Sequence, residues 1–154
     1  MDASYELALA AINKLRATSA VTTILGGSTK IYDRVPEKQE NGQQVADVTS
    51  PYISMGPVTV TPDDAGCITA EEITFQIDAW SWGAGEAYSS VQVRKLADAI
   101  KRTLHRADIQ LNTNALVTIE HTLTRIMRDR DGITNHAAIQ FTATVETPDF
   151  NPAA

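Results

Sequence analysis

The residues of this 154-residue chain that could do chemistry are three histidines, one cysteine, two adjacent acid pairs and a few glycine-bearing loops. His105, His121 and His136 stand in no recognisable metal-binding spacing with another histidine, cysteine or carboxylate. His121 and His136 could meet across a closing hairpin, where two histidines read as sheet-surface residues. Cys67 is alone, so it forms no disulfide within the chain, and no lysine or arginine adjoins it in sequence to activate the thiol. Asp63-Asp64 and Glu71-Glu72 are sequence neighbours, so in a strand the members of each pair point to opposite sides rather than sharing a proton.

Gly83-Ala84-Gly85 has the start of a dinucleotide-binding turn, but the third glycine would fall on Tyr88, and Glu86 would repel a pyrophosphate. Gly26-Gly27-Ser28-Thr29-Lys30 has the composition of a phosphate loop without its order. Asp129-Arg130-Asp131-Gly132 resembles a fragment of a calcium loop. Its other oxygen ligands are missing and Arg128 and Arg130 oppose a cation, so it reads as a turn. No nucleophile elbow is present. The expectation is a protein with no catalytic residues, no cofactor and no metal.

Surfaces are more informative. Arg94, Asp98, Lys101, Arg102 and His105 fall opposite an apolar helical stripe, with Lys95 and Arg106 nearby. Asp98 can pair with Arg94 or Arg102 one turn away, which would partly neutralise the face. Arg125, Arg128 and Arg130 extend the positive bias of the C-terminal half and leave the N-terminal half acidic. That asymmetry suits head-to-tail contacts in a ring, where one surface meets a different surface of its neighbour. Trp80 and Trp82 share strand parity and would face away from Ile73, Phe75 and Ile77, as interface anchors or under a loop.

The elements that must position these residues follow from patterning. Tyr5, Ala8, Leu9, Ile12 and Leu15 mark one face of a first helix, capped by Asp2 or Ser4. A short helix capped by Ser19 ends at Gly26-Gly27. Lys30 to Val35 reads as a short strand. Residues 37–50 are polar, with too few apolar side chains for a packed face; they read as a long loop or protruding arm that becomes ordered on assembly. Tyr52–Val60 and Ile68–Trp80 read as antiparallel strands. Val93, Leu96, Ala97, Ile100 and Leu104 form the stripe of a third helix opened by Gly85-Glu86. Val117–Met127 and Ile133–Val145 close the chain as a hairpin through Asp131-Gly132. The fold class is α+β: an antiparallel sheet with two main helices on one face. Residues 1–147 read as one domain and residues 148–154 as a flexible tail.

A net charge of −6 argues against a dedicated nucleic-acid binder. The first residues lack the basic and apolar regions of a signal peptide, and no apolar run is long enough to span a bilayer, so assembly in a cytoplasm is expected.

Three blocks, Ile31-Tyr32-Asp33-Arg34-Val35-Pro36, Pro51-Tyr52-Ile53-Ser54-Met55-Gly56 and Ile73-Thr74-Phe75-Gln76-Ile77-Asp78-Ala79-Trp80-Ser81-Trp82-Gly83, carry a family resemblance. In their order and spacing they resemble the tail-completion, or tail terminator, proteins of long-tailed bacteriophages and their prophage-derived relatives. The likeness continues through the third helix and the closing hairpin. It implies a structural virion protein at the tail–head junction, forming a ring, commonly hexameric, that caps the head-proximal end of the tail tube. Its implied partners are copies of itself, the tail tube protein and head connector or neck proteins, with no membrane and with DNA at most passing through the lumen. The family has no catalytic residues to carry over. The segment at 37–50 is longer than a minimal version of this fold needs. Other readings are a different neck, head-closure or minor tail protein on a related scaffold, or a free-standing ligand-binding α+β domain.

Overall fold

The computed structural model describes residues 1–148; residues 149–154, nearly all of the expected flexible tail, lie outside the described residues. Three α-helices are α1 (Ala3–Arg16), α2 (Ser19–Leu25) and α3 (Val91–Leu104). Seven strands are β1 (Ile31–Tyr32), β2 (Glu37–Glu40), β3 (Gln43–Ala46), β4 (Tyr52–Pro62), β5 (Ala70–Ser81), β6 (Ala115–Arg128) and β7 (Asn135–Glu146). The main sheet has the order β1-β4-β5-β7-β6, and β2 and β3 form a separate hairpin. The fold is α+β. The sheet is antiparallel except at one margin, where β1 runs parallel to β4, a pairing the long intervening segment permits.

Alternation along β5 and β7 places the core. Ile73, Phe75, Ile77 and Ala79 of β5 and Ala137, Ile139, Phe141, Ala143 and Val145 of β7 are buried on one face, in one cluster with residues of all three helices. Register confirms the facing, with Phe75 opposite Phe141 and Ile77 opposite Ile139. The stripe of α3 is as expected: Val93, Leu96, Ala97, Ile100 and Leu104 are all buried. Each fully buried leucine or isoleucine there contributes roughly 1.5–3 kcal/mol of transfer free energy, which is why this helix holds its orientation.

Several expectations change. The inward face of α1 is Ala3, Leu7, Ala11, Ile12 and Leu15, while Tyr5 and Leu9 are exposed. Residues Leu7 to Ile12 are all apolar, so two adjacent faces fit the same periodicity. Glu6 decides between them. Its buried carboxylate accepts from the amides of Thr113 and Asn114 at 3.0–3.2 Å, tying α1 to the segment before β6. The Asn114 amide bond, followed by burial acting the other way and then the Thr113 amide, leaves its carboxyl below the usual range. Asp2 caps α1, accepting from the Ser4 amide at 2.9 Å. Thr18, not Ser19, occupies the cap position of α2, and its hydroxyl donates to Lys14 O. Gly85–Ala87 forms a separate 3-10 turn rather than the first turn of α3. Asn135 fixes it, its amide donating at 3.1 Å to the carbonyls of Ala87, Tyr88 and Ser89.

The polar segment at 37–50 is not a structureless loop. Its first part is the β2–β3 hairpin, turning at Asn41-Gly42, both with positive φ (52° and 79°), as a two-residue primed turn requires. Seven of its eight strand residues are exposed, and Val45 alone is half-buried. The last strand starts at Asn135 rather than at Ile133, which is exposed in the turn before β7. There the Asp131 carboxylate accepts from the amides of Ile133 and Thr134 and from the Thr134 hydroxyl, which terminates the hairpin locally.

Candidate interaction surfaces

On the sheet face away from the helices, register assembles a ladder across three strands: Tyr52 opposite Trp80, and Trp80 opposite His136. Trp80 stacks on His136 with centroids 3.8 Å apart and on Tyr52 at 6.0 Å. Trp82, just beyond β5, meets Tyr52 edge-on at 5.9 Å, and Tyr32 does so at 6.2 Å. The indole of Trp80 donates to Ser54 Oγ at 3.0 Å. The tryptophans are therefore half-buried members of an aromatic layer, with Trp80 covered on both ring faces. A cleft of about 420 Å³ opens beside them, lined by Tyr52, Trp80, Trp82, Asp129 and the arm-base residues Ala46 and Val48. Burial, with help from Asp129, Asp78 and Tyr32, raises the Tyr52 phenol above its usual range.

Sequence reasoning missed the centre of this layer. Asp78 and His136 hydrogen-bond at 2.6 Å between adjacent strands, and Gln76 Nε2 donates to the same carboxylate at 2.8 Å. Gly56 is needed opposite them, because an added Cβ would lie 2.6 Å from Asp78 Oδ2. His121 and His136 do not pair: His121 is opposite Phe141 and His136 opposite Met127. His121 instead donates its amide to His105 Nδ1 at 2.9 Å. Burial, then Lys101 and His105, holds its imidazole below the usual range. Among the described residues no group of three or more His, Cys, Asp or Glu is arranged to hold a metal ion.

The six cationic candidates do not form one patch. Arg94, Lys101 and Arg102 are exposed on α3. Arg125 is opposite Ala138 on the face away from α3, Arg128 is at the end of β6, and Arg130 is in the following turn. On α3 itself, Arg102 is paired with Asp98 at 2.8 Å and Lys95 with Glu86 at 3.1 Å. The Arg94 guanidinium donates to the Ser90 hydroxyl at 2.9 Å, and neither Arg94 nor Lys101 has an ion pair among the described residues. Between α3 and β6 runs a groove of about 250 Å³, lined by Arg94, Ala97, Asp98, Lys101, Thr124 and Ile126. The sequence pointed to the basic helix face. Pairing β6 with β7 supplies the groove's second wall.

A family model described as tail completion protein gp17 matches residues 10–146. The chain belongs to that family. It is a structural protein of a phage-type tail, and its place is in the virion. No curated protein sequence matches it. Of the solved structures, 21 chains match. One, from a structure described as the virion of a native gene transfer agent particle, has a TM-score of 0.74 at 24% identity, over 90% of this chain and 92% of that one. At that identity the likeness establishes a shared fold. The tail completion protein thus has its family and its fold from two independent comparisons.

Proposed function

We propose that this tail completion protein closes the head-proximal end of the tail tube as a homo-oligomeric ring, commonly of six copies, and offers the head connector its docking surface. The family match across residues 10–146 carries this reading. Geometry supports it. A ring subunit needs a stiff body, lateral surfaces that differ from each other, and projections above or below its plane. The buried cluster supplies the first, the two unlike edges of the sheet (β1 with β4, and β6) the second, and the β2–β3 arm the third. Residues 1–147 act as one unit in this reading. Its work is architectural, without catalysis or cofactor, and DNA passes at most through the lumen.

Particles made without this chain are then expected to carry tubes of uncontrolled, broadly distributed length and heads without tails. Supplying the chain in trans should restore a single tail length, measured by electron microscopy. Tails of unchanged length still joined to heads would sink the proposal.

A further inference from the structure

The two flanks of the main sheet are unlike in a way that matches one to the other. On one side, β1 covers β4 only at Ile53 and Ser54, so Met55 to Pro62 has no strand partner beyond β5 among the described residues. On the other, β6 pairs with β7 alone among the described residues. Between residues 39 and 93 there is no lysine, arginine or histidine. The end of the β4–β5 hairpin concentrates this acidity in Asp63, Asp64, Glu71 and Glu72, none of them in an ion pair among the described residues.

Beside these acids the same flank exposes aliphatic surface. Val58 and Val60 are opposite Phe75 and Ile73, so they project on the helix side of the sheet, yet they are 44% and 43% exposed. Helix cover ends before it reaches them. The groove at the far flank is also on the helix side. Its floor includes Ala97 and Ile126, and its rim carries Arg94 and Lys101, the two α3 cations without an ion pair among the described residues. Apolar floor and charged rim are the anatomy of a protein–protein contact.

We propose that the β4–β5 flank of one copy seats Val58 and Val60 in the α3–β6 groove of the next copy, with Asp63 and Glu71 set against Arg94 and Lys101. This rests on the ring reading and names its lateral contact. The two surfaces differ and occupy opposite flanks of one sheet, so each copy offers one of each. Such a contact repeats head to tail until the ring closes. The β2–β3 arm is the weaker occupant: its Lys38 pairs with Asp47, and it lacks a comparable aliphatic pair.

The test has two parts, both in particles assembled from the full chain. In a Cys67→Ser background, Val60→Cys with Thr124→Cys should give, after oxidation, a ladder of covalent multimers on a non-reducing gel, and neither single cysteine should. Separately, Asp63→Lys with Glu71→Lys, and Arg94→Glu with Lys101→Glu, should each lower incorporation by about tenfold or more, because like charges then face each other. All four changes in one chain should restore it. Failure of the four-fold variant to recover, or no ladder in particles that contain several copies, overturns this contact and leaves the ring standing. A single copy per tail overturns the ring reading itself.

Discussion

Ile77→Asp is expected to cost on the order of 4–5 kcal/mol, a large share of the roughly 5–15 kcal/mol that holds a domain folded. Ile77 is fully buried in β5, opposite Met55 on one side and Ile139 on the other. An aspartate there must either stay charged without a partner or take up a proton, and both are unfavourable in an apolar layer. For a chain of this length the melting temperature should fall by roughly 10–20 °C. Calorimetry of the two proteins at neutral pH reads it directly. An unchanged melting temperature would mean that Ile77 faces water and that the inner and outer faces of β5 are reversed.

Phe141→Ala should be the next most damaging change, at roughly 3–5 kcal/mol. Phe141 is fully buried on β7, stacks on Phe75 at 5.4 Å, and meets the ring of His121 edge-on at 5.7 Å. Strands on both sides hold the backbone of β7, so little collapse can refill the space. Phe141→Leu keeps most of the volume and should cost well under half as much. Denaturant unfolding of the pair separates cavity from side-chain chemistry. Equal, small losses for both would show that this layer is loosely packed.

How far the sequence led depends on what each element packs against. The stripe of α3 was legible because its other side is charged, leaving a single inward face. β5 and β7 were legible because one face is apolar and the other carries threonine, glutamine and histidine. The face of α1 was not, since its apolar residues go nearly all round and a long-range bond from Glu6 selects the orientation. The arm hid its strands because both faces are exposed and so nothing alternates. The Asn41-Gly42 turn signal was there to be read. The Tyr52–Trp80–His136 ladder and the Asp78 contact depend on register between strands far apart in sequence, so no local pattern announces them. For the same reason no local pattern shows that the sheet separates Arg125 from the α3 groove.

The central claim is that several copies of this chain form one ring at one end of the tail tube. Averaged electron-microscope images of intact tails carrying a labelled chain test it most directly. The account predicts label only at the head-proximal end, in several copies arranged symmetrically about the tube axis. Label along the tube, at the distal tip, or as a single copy would contradict it.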